Sequence, residues 1–153
     1  MKYQFLLVSL FFPVFIWGCR ENKSLETGLP STEIKTGTMK LKVTIGTNVF
    51  TVTLADNETA KKFRALLPLT MNMAELNGNE KYANLAAALP VQASVPAGLQ
   101  SGDLMLYGSN TLVLFYESFS TTYSYTRIGK IDNVSGLKTA LGTGNVTVKF
   151  ELQ

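Results

Sequence analysis

The sequence predicts a mainly β domain, a closed β-barrel with two short helices capping its ends. Residues 39–45 and 145–152 alternate strictly between apolar and polar side chains, which is the pattern of strands with one buried face. Two other segments carry apolar residues at helical spacing. Two strands, a helix, several strands, a second helix and a last strand form an order that suits a barrel plugged by helices better than a sandwich.

The domain begins with a predicted hairpin followed by a helix. Residues 39–45 and 49–54 are the two strands, joined by a Gly-Thr-Asn turn. Asp56 or Asn57 then caps a helix, and apolar residues at helical spacing extend it over residues 58–67. The proline that follows ends this helix.

Shorter segments make up the middle of the domain. Residues 69–73 alternate again, and their two methionines are expected to fill the core. An Asn-Gly turn separates them from residues 80–82, which form a short strand or a bend. Residues 86–89 can form a brief helical turn, and residues 91–101 form a loop punctuated by proline and glycine.

Two strongly apolar strands, residues 104–107 and 111–116, form the centre of the domain. An aromatic, threonine-rich passage follows them. Asp132 or Asn133 can then cap a second short helix over residues 134–141, which a glycine ends. The last alternating strand completes the predicted barrel.

Composition and charge limit the classes of function. Hydrophobic residues make up 46% of the chain and charged residues 16%, which is typical of a globular protein. The net charge is +3 with scattered Lys and Arg, whereas a nucleic-acid partner needs a focused basic face. The chain has no histidine, which removes the commonest general base, the usual Ser and Cys triads and most zinc sites. We therefore expect no nucleic-acid partner, no metal and no cofactor.

The first 18 residues predict a signal peptide. Lys2 supplies a positive start, and residues 5–16 are mostly apolar but too short to cross a bilayer core. This run ends at Ile16-Trp17-Gly18-Cys19, which resembles the lipobox of bacterial lipoproteins, although the bulky tryptophan departs from the usual pattern. Cys19 is the only cysteine and is the predicted lipidation site.

Residues 19–38 predict a lipidated N-terminus and a flexible tether, because they are polar and lack aromatic side chains. Several acyl chains on one cysteine would hold the protein stably at a membrane. Arg20, where inner-membrane retention favours Asp, points to the outer membrane of a bacterial cell envelope. The folded domain is then residues 39–153.

Four short motifs resemble motifs of the cyclophilins, and they occur in the same order as in that family. They are Leu54-Ala55-Asp56 with Thr59-Ala60-Lys61-Lys62-Phe63-Arg64-Ala65-Leu66, Gln100-Ser101-Gly102-Asp103, Asn110-Thr111-Leu112, and Arg127-Ile128-Gly129-Lys130-Ile131. The chain is more similar still to the smaller bacterial cyclophilin-like domains of uncertain function. Their pattern L-x-G-x-E-K-Y, G-D-L-x-L-Y, L-V-x-F-Y, R-x-G-K-I is present almost whole. The resemblance implies a cyclophilin-like barrel.

For activity, the resemblance implies prolyl isomerisation, which cyclophilins carry out with an Arg, a Gln or Asn and an aromatic pocket. Gln100 is the direct match among the polar groups, and Tyr125 stands where the family has its groove histidine. The segment that carries the catalytic Arg in cyclophilins contains no Arg in this chain. Arg127 is the candidate to take its place. Phe115 and Tyr116 replace smaller groove residues and would fill part of the pocket.

The sequence therefore predicts a binding groove without catalytic residues, in a lipid-anchored domain that recognises an extended peptide or a glycan. Aromatic platforms beside a few polar groups suit both ligands. Two alternatives stay open, a weak prolyl isomerase and a structural envelope lipoprotein without a small ligand. For Phe115 and Phe119, burial in the core is the alternative to a place in the groove. Glu75, Glu80, Asp103 and Glu117 show no pairing by spacing, although Glu80 is a polar candidate for the groove. The candidate binding residues are Tyr82, Gln100, Phe115, Tyr116, Phe119, Tyr125 and Arg127.

Overall fold

The structure, a computed structural model, describes residues 39–153. The predicted signal peptide, Cys19 and the predicted tether lie outside the described residues. Within residues 39–153, neither helix has the length and apolar character needed to cross a membrane.

Eight strands and two short helices follow one another along the chain. In order they are β1 (Lys40–Ile45), β2 (Asn48–Leu54), α1 (Glu58–Arg64), β3 (Leu69–Leu76), β4 (Glu80–Asn84), β5 (Asp103–Tyr107), β6 (Thr111–Phe115), β7 (Thr126–Ile131), α2 (Leu137–Leu141) and β8 (Val146–Leu152).

The strands form a closed antiparallel barrel in the order β1-β2-β7-β5-β6-β4-β3-β8, and β8 pairs with β1 to close it. The predicted fold class is thereby confirmed. Alternate side chains point into the barrel, so Val43 lies opposite both Phe50 and Phe150 in the core. Met71 and Met73 are buried there too, which confirms their predicted role as core filling.

Helix α1 packs against the core through Ala60 and Phe63, and the Phe63 ring meets Phe150 edge to face with centroids 5.7 Å apart. Asn57 is the cap, since its Oδ1 accepts a hydrogen bond from the Ala60 N–H at 2.8 Å. The helix ends at Arg64, three residues earlier than predicted. Leu67 precedes a proline, which disfavours a helical backbone, and it packs on the core from outside the helix.

Helix α2 is shorter than predicted and begins at Leu137 instead of residue 134. Gly136 stands at its N-cap with φ +78°, a left-handed conformation that separates the preceding turn from the helix. Neither predicted cap is used. Asp132 accepts hydrogen bonds from Lys40 at 2.7 Å and Thr53 at 2.5 Å, and Asn133 accepts one from the Ser135 N–H.

The hairpin of β3 and β4 is longer than predicted, because pairing continues on both sides of an Asn77-Gly78 turn in which both residues have positive φ. Residues 86 and 87 form a bend and residues 88 and 89 are irregular, so the predicted helical turn is not formed. The backbone N–H groups of Leu85 and Leu89 donate to the turn between β5 and β6, which holds this segment away from helical pairing.

Candidate functional site

A groove of about 750 Å³ lies on the outer face of the barrel over β4 and β6. We call it the aromatic groove. Its lining consists of Leu76, Asn77, Asn79, Glu80, Tyr82, Asn84, Tyr107, Thr111, Val113, Phe119, Ser120, Thr121, Thr122, Tyr123 and Tyr125.

Strand alternation decides which side chains reach the groove. On β4, Glu80, Tyr82 and Asn84 point outward, whereas Lys81 and Ala83 point into the barrel. The outward positions of β6 extend the same surface.

The floor of the groove is a second, smaller apolar cluster outside the barrel. It contains Leu99, Met105, Val113, Phe115 and Tyr125, with Tyr82 and Phe119 packed against it. Two isolated bridges fasten the loops that complete it. Leu99 and Phe119 exchange backbone hydrogen bonds of 2.9 and 3.1 Å, and Ser94 and Tyr125 exchange two of 3.0 Å. The groove is therefore a packed feature of the fold.

Four aromatic side chains pack ring to ring in a series that runs from beneath the floor to one wall of the groove. The Tyr125 ring lies 5.5 Å from Phe115 and 5.6 Å from Tyr107, and Tyr107 lies 6.1 Å from Tyr123. Tyr107 and Tyr123 are 45% and 61% exposed. Large exposed aromatic area beside buried aromatic area is characteristic of recognition surfaces.

The structure divides the predicted binding residues into three groups. Tyr82, Phe119 and Tyr125 line the groove. Phe115 lies beneath them and is fully buried, in the core role considered as its alternative. Tyr116 points the other way, into the barrel, where its hydroxyl donates to Glu75 at 2.6 Å. Consecutive residues of an extended chain face opposite sides of a sheet, so Phe115 and Tyr116 cannot share one groove.

Gln100 and Arg127 form a separate polar cluster around the buried Asp103 and are not among the lining residues. Arg127 Nη1 lies 3.3 Å from Asp103 Oδ1, and the Gln100 N–H donates to Asp103 Oδ2 at 2.9 Å. Lys130 donates to the Gln100 side chain. The sequence predicted that Gln100 and Arg127 lie with the aromatic side chains, and this placement corrects that prediction. The buried carboxylate of Asp103 attracts the nearby polar groups instead.

Sequence reasoning missed Tyr107 and Tyr123 as groove residues. Tyr107 stands two positions after Met105 on β5, so strand alternation could have placed it beside the outer cluster. Tyr123 lies in an irregular segment, and no periodic pattern indicates its direction.

Glu80 is the one charged residue of the lining, and it is only 9% exposed. Within residues 39–153 its carboxylate has no ion pair and no hydrogen bond to a side chain or backbone group. Burial and the negative charge of Glu75 raise its pKa. Burial also raises the pKa of Tyr125, and the charge of Glu80 adds to that shift. The groove thus has a negative centre without a positive partner.

A different polar cluster lies inside the barrel. Lys81 is fully buried and donates to Glu75, to the Gly142 carbonyl at 2.9 Å and to the Gly144 carbonyl at 2.5 Å. Because Lys81 faces the interior and Glu80 the exterior, this lysine is committed to a network apart from the groove. Across residues 39–153, no three His, Cys, Asp or Glu side chains are placed to hold a metal ion.

Comparisons with known proteins agree with this architecture. The solution structure of the hypothetical protein AF2241 from Archaeoglobus fulgidus is similar, with a TM-score of 0.56 and 21% sequence identity, over 75% of this chain and 95% of that chain. At this identity, the likeness shows the fold alone. A search of curated proteins found no match. The model of the cyclophilin-like family matches residues 43–151, and the chain therefore belongs to the cyclophilin-like family.

Proposed function

We propose that this domain is a non-catalytic binding module that holds an extended peptide in the aromatic groove. The observation that carries the proposal is the combination of exposed aromatic rings with a lining that includes backbone groups free to pair. Tyr107 and Tyr123 offer the rings.

The free backbone groups belong to residues 120–124, of which residues 120–123 line one wall of the groove. Among the described residues, no backbone–backbone hydrogen bond involves this segment, and the Tyr123 N–H donates only to the Thr121 side chain at 3.1 Å. Residues 120–124 are mostly exposed, so water hydrates their backbone groups, and an extended peptide can replace that water with amides and carbonyls in matching alternation. A glycan, the rival ligand, would use the rings without needing the backbone.

Binding is favoured over weak prolyl isomerisation by the position of Arg127. That chemistry needs a guanidinium directed at the proline nitrogen, but Arg127 pairs with Asp103 outside the groove lining. A rate enhancement in a proline-peptide assay that Arg127→Ala abolishes would favour the isomerase instead.

Tyr123→Ala is expected to weaken peptide binding by about tenfold, which corresponds to about 1.4 kcal/mol. Its ring is largely exposed, so the melting temperature should stay close to that of the wild type. Peptide and glycan arrays identify a ligand, and calorimetry then measures its affinity.

Leu152→Ala, an exposed apolar position outside the groove lining, is the matched control and should bind normally. Binding on the glycan array alone would contradict the peptide and identify a sugar as the ligand. Silence on both arrays would favour a structural envelope role.

We also propose that the domain is lipid-anchored through Cys19 in the bacterial envelope, on the strength of the sequence pattern Ile16-Trp17-Gly18-Cys19. In bacteria that express the full chain, Cys19→Ser should abolish fatty-acid labelling and move the protein from the membrane to the soluble fraction. Ser24→Ala, in the predicted tether, is the control. Retention of the Cys19→Ser protein in membranes together with an unlabelled wild type would contradict the anchor.

A further inference from the structure

Glu80 is an unusual residue to find in the lining of the aromatic groove. It is more than nine-tenths buried and lines the cavity, yet within residues 39–153 its carboxylate contacts neither a cation nor a hydrogen-bond donor. Its carboxylate oxygens open into the groove, because they are not among the fully enclosed unpaired atoms of the described residues. With little solvent around it, the carboxylate gains most from a positively charged partner, which would come from outside the chain.

The charges around Glu80 define the sign of that partner. No Lys or Arg belongs to the groove lining. The nearest basic side chain along β4, Lys81, faces the barrel interior and is bonded to Glu75. Glu75 contributes to the raised pKa of Glu80, after the larger effect of burial, but its own charge is paired with Lys81 inside the barrel. The charge on the groove lining is therefore that of Glu80 alone, and it is negative although the whole chain has a net charge of +3.

The aromatic rings support the same sign. The faces of tyrosine rings carry negative electrostatic potential, and a cation within about 6 Å of a ring centre is attracted to it. Tyr82, Tyr107, Tyr123 and Tyr125 all line the groove beside Glu80. A carboxylate in a groove lined by tyrosines suits an ammonium or guanidinium group attached to an apolar stem, since the stem can contact the rings while the head reaches the carboxylate.

We infer that the aromatic groove selects an extended peptide by a lysine or arginine side chain, which inserts between the tyrosines and pairs with Glu80. This inference rests on the proposed peptide-binding function and narrows it to basic peptides. Glu80 is then the specificity-determining residue, and the free backbone of residues 120–124 holds the peptide chain.

The test uses four pentapeptides, Ac-Ala-Ala-Xaa-Ala-Ala-NH2, in which Xaa is lysine, arginine, norleucine or glutamate. Amide chemical shifts of the isotope-labelled protein give both the affinity and the location of binding. A dispersed amide spectrum, recorded before any peptide is added, shows that the barrel is folded. Lysine and arginine peptides are expected to bind at least about tenfold more tightly than norleucine, with the glutamate peptide weakest.

Glu80→Gln keeps the shape of the side chain and removes its charge, so it should reduce the preference for lysine over norleucine to less than about twofold. Glu58→Gln, which neutralises an exposed carboxylate on α1, is the matched control and should retain the preference. If all four peptides shift groove amides equally, the peptide site stands and the selection of a basic side chain is refuted. If none shifts them, the proposed function itself fails.

Measurements on the wild type at about pH 7 and about pH 4 keep the test independent of any variant. Because the pKa of Glu80 is raised, this carboxyl group becomes protonated as the pH is lowered, and the preference for lysine should fall. Among the neighbours of Glu80, Glu75 and Tyr116 lie on the barrel side and Tyr125 on the groove side. The pKa of Glu75 is lowered, so it stays ionised to lower pH, and the pKa values of Tyr116 and Tyr125 are raised, so both stay neutral. An unchanged preference at the lower pH would overturn the role of Glu80.

Discussion

Replacing Lys81 with methionine is expected to lower the free energy of unfolding by about 3 kcal/mol. Lys81 is fully buried and joins Glu75 on β3 to the carbonyls of Gly142 and Gly144, which connect α2 to β8. Methionine fills nearly the same space but leaves Glu75 without its counter-charge and two carbonyls without their donor. Urea unfolding followed by circular dichroism measures the loss.

The cost should depend on pH. Burial alone would raise the pKa of Glu75, but hydrogen bonds from Lys81 and Tyr116 outweigh it and hold the pKa below its ordinary value of 4.5. A carboxyl group of this kind stabilises the fold above its unfolded pKa and loses that contribution as the pH falls through its folded pKa. Without Lys81, burial of Glu75 is opposed by fewer hydrogen bonds and its pKa rises. The Lys81→Met penalty should therefore be largest near neutral pH and shrink as the pH falls toward and below 4.5.

A second substitution separates the stranded charge from simple loss of packing. Glu75→Gln added to Lys81→Met removes the unpaired carboxylate and should restore about 1 kcal/mol, because directly contacting residues are energetically coupled. Additive losses in the double variant, or a pH-independent penalty for Lys81→Met, would show that the ion pair is not what stabilises this end of the barrel.

Gly129→Ala is expected to destabilise the barrel by about 2–3 kcal/mol, because a side chain there has no room. An added Cβ would lie 2.7 Å from the Thr53 carbonyl oxygen and 2.9 Å from a methyl group of Val52. Both atoms belong to β2, which is joined to β7 by only three residue pairs. The added methyl group would push β2 and β7 apart, and with so few residue pairs their pairing would be easily lost. The melting temperature should fall by roughly 10 °C.

Gly98→Ala is the control for this substitution. Its Cβ would meet only the Phe119 carbonyl oxygen, at 4.0 Å, so its effect should stay within about 0.5 kcal/mol. Equal stability of the two alanine variants would mean that the close approach of β2 to Gly129 is absent in solution. Close packing against β2 thus explains the glycine in the motif Arg127-Ile128-Gly129-Lys130-Ile131, independently of ligand binding.

The elements that sequence reasoning predicted well are those with a strict period. Strand alternation placed β1, β2 and β8 to within a residue, and it assigned Met71 and Met73 to the core. The errors lie where tertiary contacts override local preference. Residues 134–136 are not part of the second helix, because of a left-handed glycine and because Asp132 bonds to Lys40 and Thr53.

By itself, the sequence determined the barrel, the two helices and the aromatic character of the outer face, because burial of one side of each strand is written in its alternation. Only the tertiary structure decided which aromatic residues meet. It turned Tyr116 into the interior, drew Arg127 to Asp103 and left Glu80 unpaired among tyrosines. Those outcomes depend on pairing between distant strands and on loops fastened across the sheet, and no local pattern records either.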